Sequence, residues 1–326
     1  MWRGPRAAGP GLRPGDAAPG RLRDRAREVS EPFCSRLAEA AHGVVAGTGV
    51  RGDVYVFLPV DKKRWGRREF NEGWATSEEL EAIRRARRLG VIVRLYNPPD
   101  ASGKAAILAH RAPEPSAQAA DALQGLLADL RRHAWGLDES NAPRLALCTQ
   151  GTRDRCCAKW GFAVYRAARD LYDVGQFPFA PIECSHLGGD RFAATGIAFP
   201  SGGMYGHLDR LPLAALAAAE ADGRILQEHY RGRVFETALA QVVRAGLARD
   251  GFDVTTVSPV TLDGPQAGAG PLRVTASGRS YEVTLSPKAF HFFGDCRAAA
   301  QGRMSHDTRL AYDRAQPVGD LPSLTP

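Results

Sequence analysis

Between Cys148 and Asp190 the chain reads CTQGTRDRCCAKWGFAVYRAARDLYDVGQFPFAPIECSHLGGD, and four of its six cysteines fall inside that stretch. The apolar run Arg144–Cys148 reads as a short buried strand that ends on a cysteine. Eight residues separate Cys148 from Cys157, and Gly151 allows the intervening loop to turn tightly. Val164, Ala168 and Leu171 recur at helical spacing, which predicts a helix from about Ala158 to Tyr172. A second strand, Ala180–Cys184, then delivers His186, and Gly188 and Gly189 lead to Asp190. Two loops at the ends of neighbouring strands thus bring thiols, an imidazole and a carboxylate to one place, which is the shape of a metal site.

Strand–helix alternation extends on both sides. Upstream, Glu31–Val45 is expected as a helix, Asp53–Val60 as a strand, and Thr76–Leu89 as a helix capped by Ser77. Gly90–Tyr96 and Ala105–His110 are expected strands, and Ser116–Leu130 a helix. Downstream, Ala193–Phe199 and Met204–Leu208 read as paired strands, and Leu213–Ala221 and Val234–Ala248 as helices. Phe252–Ser258 reads as a further strand, and Leu272–Ala276 with Tyr281–Ser286 as a hairpin. This pattern predicts an α/β protein of two thioredoxin-like α/β sandwich domains. The expected boundaries are a basic disordered tail over 1–28, an N-terminal α/β domain over 30–132 and a linker over 133–143. The cysteine-rich domain then covers 144–300, and a loose polar tail 301–326.

Length and composition set outer bounds. A chain of 326 residues can bury two cores. Its net charge of +7 permits an acidic partner, but the basic residues lack the interleaved aromatics of a nucleic-acid interface, and no nucleic-acid partner is expected. No apolar run reaches the length of a membrane span, and no membrane association is expected. Six clustered cysteines in so long a chain suit a metal or redox centre in a reducing, cytoplasmic setting rather than a disulfide framework. The segment KKRWGRREFNEGW, beginning at Lys62, reads either as a docking surface for an acidic redox partner or as a solvated loop with Trp65 folded inward. Cys34 reads as a buried thiol, His207 as structural, and the pair His291 and Cys296 in HFFGDC as too local a metal signal.

The stretches CTQGTRDRCCAKWG and ECSHLGGDRFAATGIAFPSGGMYGHL resemble those of the sucrase/ferredoxin-like family, whose members carry a thioredoxin-like ferredoxin domain with a [2Fe-2S] cluster. The resemblance covers Val54–Leu208 well. It implies cluster ligands at Cys148, Cys157 and His186, with Cys156 as the fallback for the second position. Where the family places a second histidine, this chain has Asp190. The departure leaves three outcomes: Asp190 ligates through oxygen, Cys184 supplies the fourth ligand, or the cluster is lost. A carboxylate ligand would add negative charge and lower the potential. The implied function is single-electron transfer or redox sensing rather than turnover of a substrate. A zinc module on Cys148, Cys157, His186 and Asp190 is the alternative, and a thiol–disulfide oxidoreductase is disfavoured because no two cysteines are spaced by two residues at a helix start. No carboxylate pair argues for glycoside hydrolysis.

Overall fold

The computed structural model describes residues 33–41, 45–98, 106–263 and 271–318. The 1–28 tail lies outside them. Helix α1 spans Cys34–Ala40, and strand β1 Val54–Pro59. Helix α2, Ser77–Arg88, starts in a capping box: Thr76, not Ser77, is the cap, and the Glu79 carboxylate accepts a hydrogen bond from the Thr76 amide. Strands β2 (Val91–Tyr96) and β3 (Ala106–Arg111) and helix α3 (Ala117–Asp129, capped by Ser116) complete the first half. The segment read as a linker contributes strand β4, Gly136–Asp138, which pairs parallel with β3.

The second half repeats the plan. Strand β5 (Arg144–Cys148) is followed by a π-helical turn, Cys157–Gly161, and helix α4 (Phe162–Asp173). Strands β6 (Ala180–Cys184), β7 (Gly196–Phe199) and β8 (Gly203–Tyr205) come next. Helix α5 (Leu213–Asp222) ends on Gly223 at φ 65, strand β9 is Tyr230–Arg233 and helix α6 is Ala238–Arg249. In each half a parallel pair (β1 with β2, β5 with β6) is extended by an antiparallel strand (β3, β7). That is the thioredoxin-like arrangement. The halves join edge to edge in one nine-stranded sheet ordered β4-β3-β1-β2-β6-β5-β7-β8-β9. The seam is the antiparallel pairing of Tyr96 with Cys184, reinforced by Ser185 N–H to Leu95 O at 2.8 Å.

Side-chain alternation places the cysteines. Val54, Val56 and Leu58 on β1 pack beneath α2 and α3, while Tyr55 and Phe57 face the other side. On β5, Leu145 and Leu147 pack toward α4, and Ala146 and Cys148 join Tyr55 and Phe57 in the cluster that both halves share. Cys148 therefore points into the inner face of the joined sheet.

Beyond α6 the structure departs from expectation. Phe252–Ser258 is not a strand, because the Arg244 guanidinium takes the Thr255 and Ser258 carbonyls that a ladder would need. Strands β10 (Val260–Asp263), β11 (Pro271–Ala276), β12 (Arg279–Phe292) and β13 (Ser305–Pro317) form a second, four-stranded antiparallel sheet. Helix α7, Cys296–Ala300, sits between its last two strands. Within the tail expected to be loose over 301–326, residues 305–317 form strand β13, and 319–326 lie outside the described residues. The strand packs Tyr312 on Gly246, where a Cβ would lie 2.1 Å from the ring. No described helix is long and apolar enough to cross a membrane.

One buried group gives this fold a measurable acid sensitivity. His110 is 2% exposed, stacks on Phe199 at 3.9 Å and leaves both ring nitrogens without a hydrogen-bond partner. Burial, then the nearby Arg144 charge, pushes its pKa down to about 3. The unfolded histidine titrates near ~6.5, so below that pH the unfolded chain takes up a proton that the folded chain refuses. Stability should therefore fall as pH drops from ~6.5 toward 3, by up to ~1.4 kcal/mol per pH unit. His110→Phe should flatten this slope in urea melts at pH 7 and pH 5. An unaltered slope would show that His110 is not held neutral.

Candidate metal centre

Cys148 leaves the end of β5 and Cys184 the end of β6, side by side in parallel register. The Thr149 amide continues the ladder onto the Cys184 carbonyl at 3.0 Å. Gln150, buried in the next position, accepts from the His186 amide at 2.9 Å and donates to Gly66 O at 2.8 Å. It fixes the histidine loop against the cysteine loop. On the far side, the π-helical turn begins at Cys157; such turns re-aim side chains, often at functional sites. The turn ends at Gly161, where a Cβ would stand 2.0 Å from the Cys148 carbonyl oxygen. Only hydrogen fits there, and that close approach brings Cys157 over Cys148.

The four residues expected as ligands come together. Cys148 Sγ lies 3.3 Å from Cys157 Sγ, Cys157 Sγ 3.8 Å from Asp190 Oδ1, and Asp190 Oδ1 3.0 Å from His186 Nδ1. The imidazole is also within hydrogen-bonding reach of Cys148. His186 Nδ1 is buried yet has no hydrogen bond of sound geometry, so it faces the other donors without being satisfied by them. Both thiols are 1% exposed, whereas the His186 side chain is 22% exposed: the sulfur side is internal and the imidazole side meets solvent. Gly188 and Gly189, at φ 91 and 76, carry the loop between His186 and Asp190. The fully buried Arg231 donates to Gly188 O at 2.8 Å and to Thr48 O at 2.6 Å, holding that loop from behind.

The electrostatics are those of a charged, desolvated set. Hydrogen bonding from Cys157, and then His186 against the cost of burial, holds the Cys148 thiol far below its ordinary range. Cys157 is pushed well up by Cys148 and by burial, so it keeps the proton of the pair. Burial would lower His186, but Asp190 and Cys148 outweigh it and raise its pKa to about 9. Arg153 lies 3.5 Å from the second Asp190 oxygen. Two thiols, an imidazole and a carboxylate thus stand in contact with one another, donor types that transition metals accept.

Of the fallback ligands, Cys184 is fully buried beside Cys148, where burial and then the Cys148 charge push its thiol well up. Cys156 is corrected: its sulfur turns away from Cys148 and lies 3.3 Å from Cys296 Sγ and 3.7 Å from Cys34 Sγ. With Asp154 these form a second buried group whose ligand atoms all lie within 4.8 Å of one another and could hold a metal ion. Sequence reasoning treated Cys34 as a lone thiol and coupled Cys296 to His291, which is exposed. The one available signal was the vicinal pair, since residues adjacent on a helix point about 100° apart and tend to face different surroundings. The basic KKRWGRREF segment lies against the cysteine loop: Thr152 Oγ1 donates to Trp65 O and Gly66 O at 3.2 Å. Trp65 is buried as expected, while Lys63, Arg64, Arg67 and Arg68 are exposed.

Residues 45–232, more than half of the chain, match the family model described as Sucrase/ferredoxin-like. No curated protein and no solved structure matches the chain.

Proposed function

The chain belongs to the sucrase/ferredoxin-like family, and from that premise we propose that it is a [2Fe-2S] protein that exchanges single electrons with an acidic protein partner. The convergence of Cys148, Cys157, His186 and Asp190 carries this reading. Cys148 and Cys157 would hold the inner iron as thiolates, and His186 and Asp190 the outer one. The cluster, when bound, supplies one-electron exchange.

The chain's own residues divide the remaining work. The buried thiols keep water from the sulfur side, and His186 provides the partly exposed edge through which an electron reaches the centre. Arg153 offsets part of the negative charge that Asp190 and the thiolates bring together. Lys63, Arg64, Arg67 and Arg68, on the loop packed against Thr152, form a cationic rim suited to an acidic donor or acceptor.

Anaerobic purification should give a red-brown protein with about two irons and two sulfides per chain. A colourless protein that takes up zinc at these four residues instead would replace the electron-transfer reading with a zinc module. Electron exchange with an acidic donor should slow as ionic strength rises. A salt-independent rate would remove the cationic rim from the proposal.

A further inference from the structure

We propose that Cys34, Cys156, Cys296 and Asp154 form a second metal site, which binds one zinc ion and pins helices α1 and α7 to the cysteine-bearing turn that follows β5. Three sulfurs from three distant segments form a triangle with edges of 3.3, 3.7 and 3.7 Å. Zinc–thiolate bonds of ~2.3 Å in a tetrahedron place sulfurs about 3.8 Å apart, so the triangle has the size of one face around a single ion. All three are free thiols. Asp154 completes the set, with Oδ1 4.0 Å from Cys34 Sγ.

The surroundings are built for these donors. Asp154 accepts the backbone amides of Cys156 at 2.8 Å and Cys296 at 2.7 Å, so one carboxylate orients both ligand-bearing turns. Oδ2 keeps a lone pair for a metal, and Oδ1 frees one when the Cys34 thiol gives up its proton. Ser35 Oγ donates to Cys156 Sγ at 3.2 Å, an outer-shell hydrogen bond of the kind that fixes a metal thiolate. All four residues are at most 4% exposed, which leaves no open coordination position. A closed set of four protein ligands is the mark of a structural rather than a catalytic zinc site. Buried cysteines that merely fill space are common, but apolar packing alone gives no reason to gather three thiols around a buried carboxylate.

The site lies partly outside the matched family region, because Cys34 and Cys296 fall on either side of residues 45–232. It is independent of the iron centre, which uses Cys157 and not Cys156.

The full chain, expressed with zinc in the medium, should show one zinc per chain at this site in native mass spectrometry. Cys296→Ala should lower zinc by one equivalent and leave iron and sulfide unchanged. Loss of iron from wild type would overturn the electron-transfer reading and leave this zinc in place. To guard against a misfolded variant, wild-type thiols are alkylated with and without a chelator, in the absence of denaturant. The chelator should open Cys34, Cys156 and Cys296 to alkylation together. No zinc above trace, alkylation indifferent to the chelator, or a disulfide among the three would each overturn the site.

Discussion

Replacing Asp190 by histidine is expected to raise the midpoint potential of the proposed [2Fe-2S] centre by on the order of 100 mV. The estimate follows from charge. Exchanging two thiolates for two neutral imidazoles raises potentials by at least about 250 mV across [2Fe-2S] proteins, so one anionic ligand is worth roughly half of that. Asp190 is 3% exposed, and water screens its charge poorly. A reduced cluster with a carboxylate ligand carries one more negative charge than its bis-histidine counterpart, which disfavours the added electron. The substitution also leaves the Arg153 guanidinium, now 3.5 Å from Asp190, without its carboxylate. The Arg153 charge is present in both proteins and adds nothing further to the shift.

Softness of the ligand should change lability as well. Oxygen is a hard donor beside thiolate-bound iron, so Asp190→His should lose iron to a chelator more slowly than wild type, and Asp190→Ala faster. A spectroelectrochemical titration separates ligation from mere proximity. If Asp190 binds iron, Asp190→Asn changes the visible bands as well as the potential. If it only sits nearby, the potential moves and the bands do not. A midpoint that stays put in Asp190→His would remove Asp190 from the ligand set and turn attention to Cys184.

The meeting of Cys148, Cys157, His186 and Asp190 was legible in the sequence because its information is local. Cys148 closes a strand, Cys157 opens a helix and His186 follows the next strand, so ordinary period-2 and period-3.6 patterns bring them to one edge of the sheet. The π-helical turn that aims Cys157 was not legible, since it depends on Gly161 meeting the Cys148 carbonyl. Strand β13 was hidden for a different reason. Its residues are mostly exposed and polar, and its apolar contacts are few, with Tyr312 the buried one. Only its long partner β12 makes it a strand. The second group was least legible of all. Cys34 and Cys296 are 262 positions apart, and no periodicity links residues at that distance. What joins them is the packing of α1 against the Asp190–Phe192 turn and the capture of the Cys296 amide by Asp154.

The vicinal cysteines should therefore behave as opposites. Cys157→Ala removes a thiol that lies 3.3 Å from Cys148 and 3.8 Å from Asp190. It should reduce bound iron to below about a tenth of wild type, since even outer-shell losses cost 10–100-fold, while zinc stays. Cys156→Ala removes a sulfur that touches Cys34, Cys296 and Ser35. It should abolish the zinc, keep the iron, and lower Tm by about 5–10 °C, the scale of a few kcal/mol in a chain of this size. The two backbones differ by one position, so differences in general folding cannot produce reciprocal metal contents. Side-by-side metal analysis and melting curves decide the matter. If Cys156→Ala loses iron and zinc together, the neighbouring thiols serve one shared centre, and the division of five of the six cysteines between two sites fails.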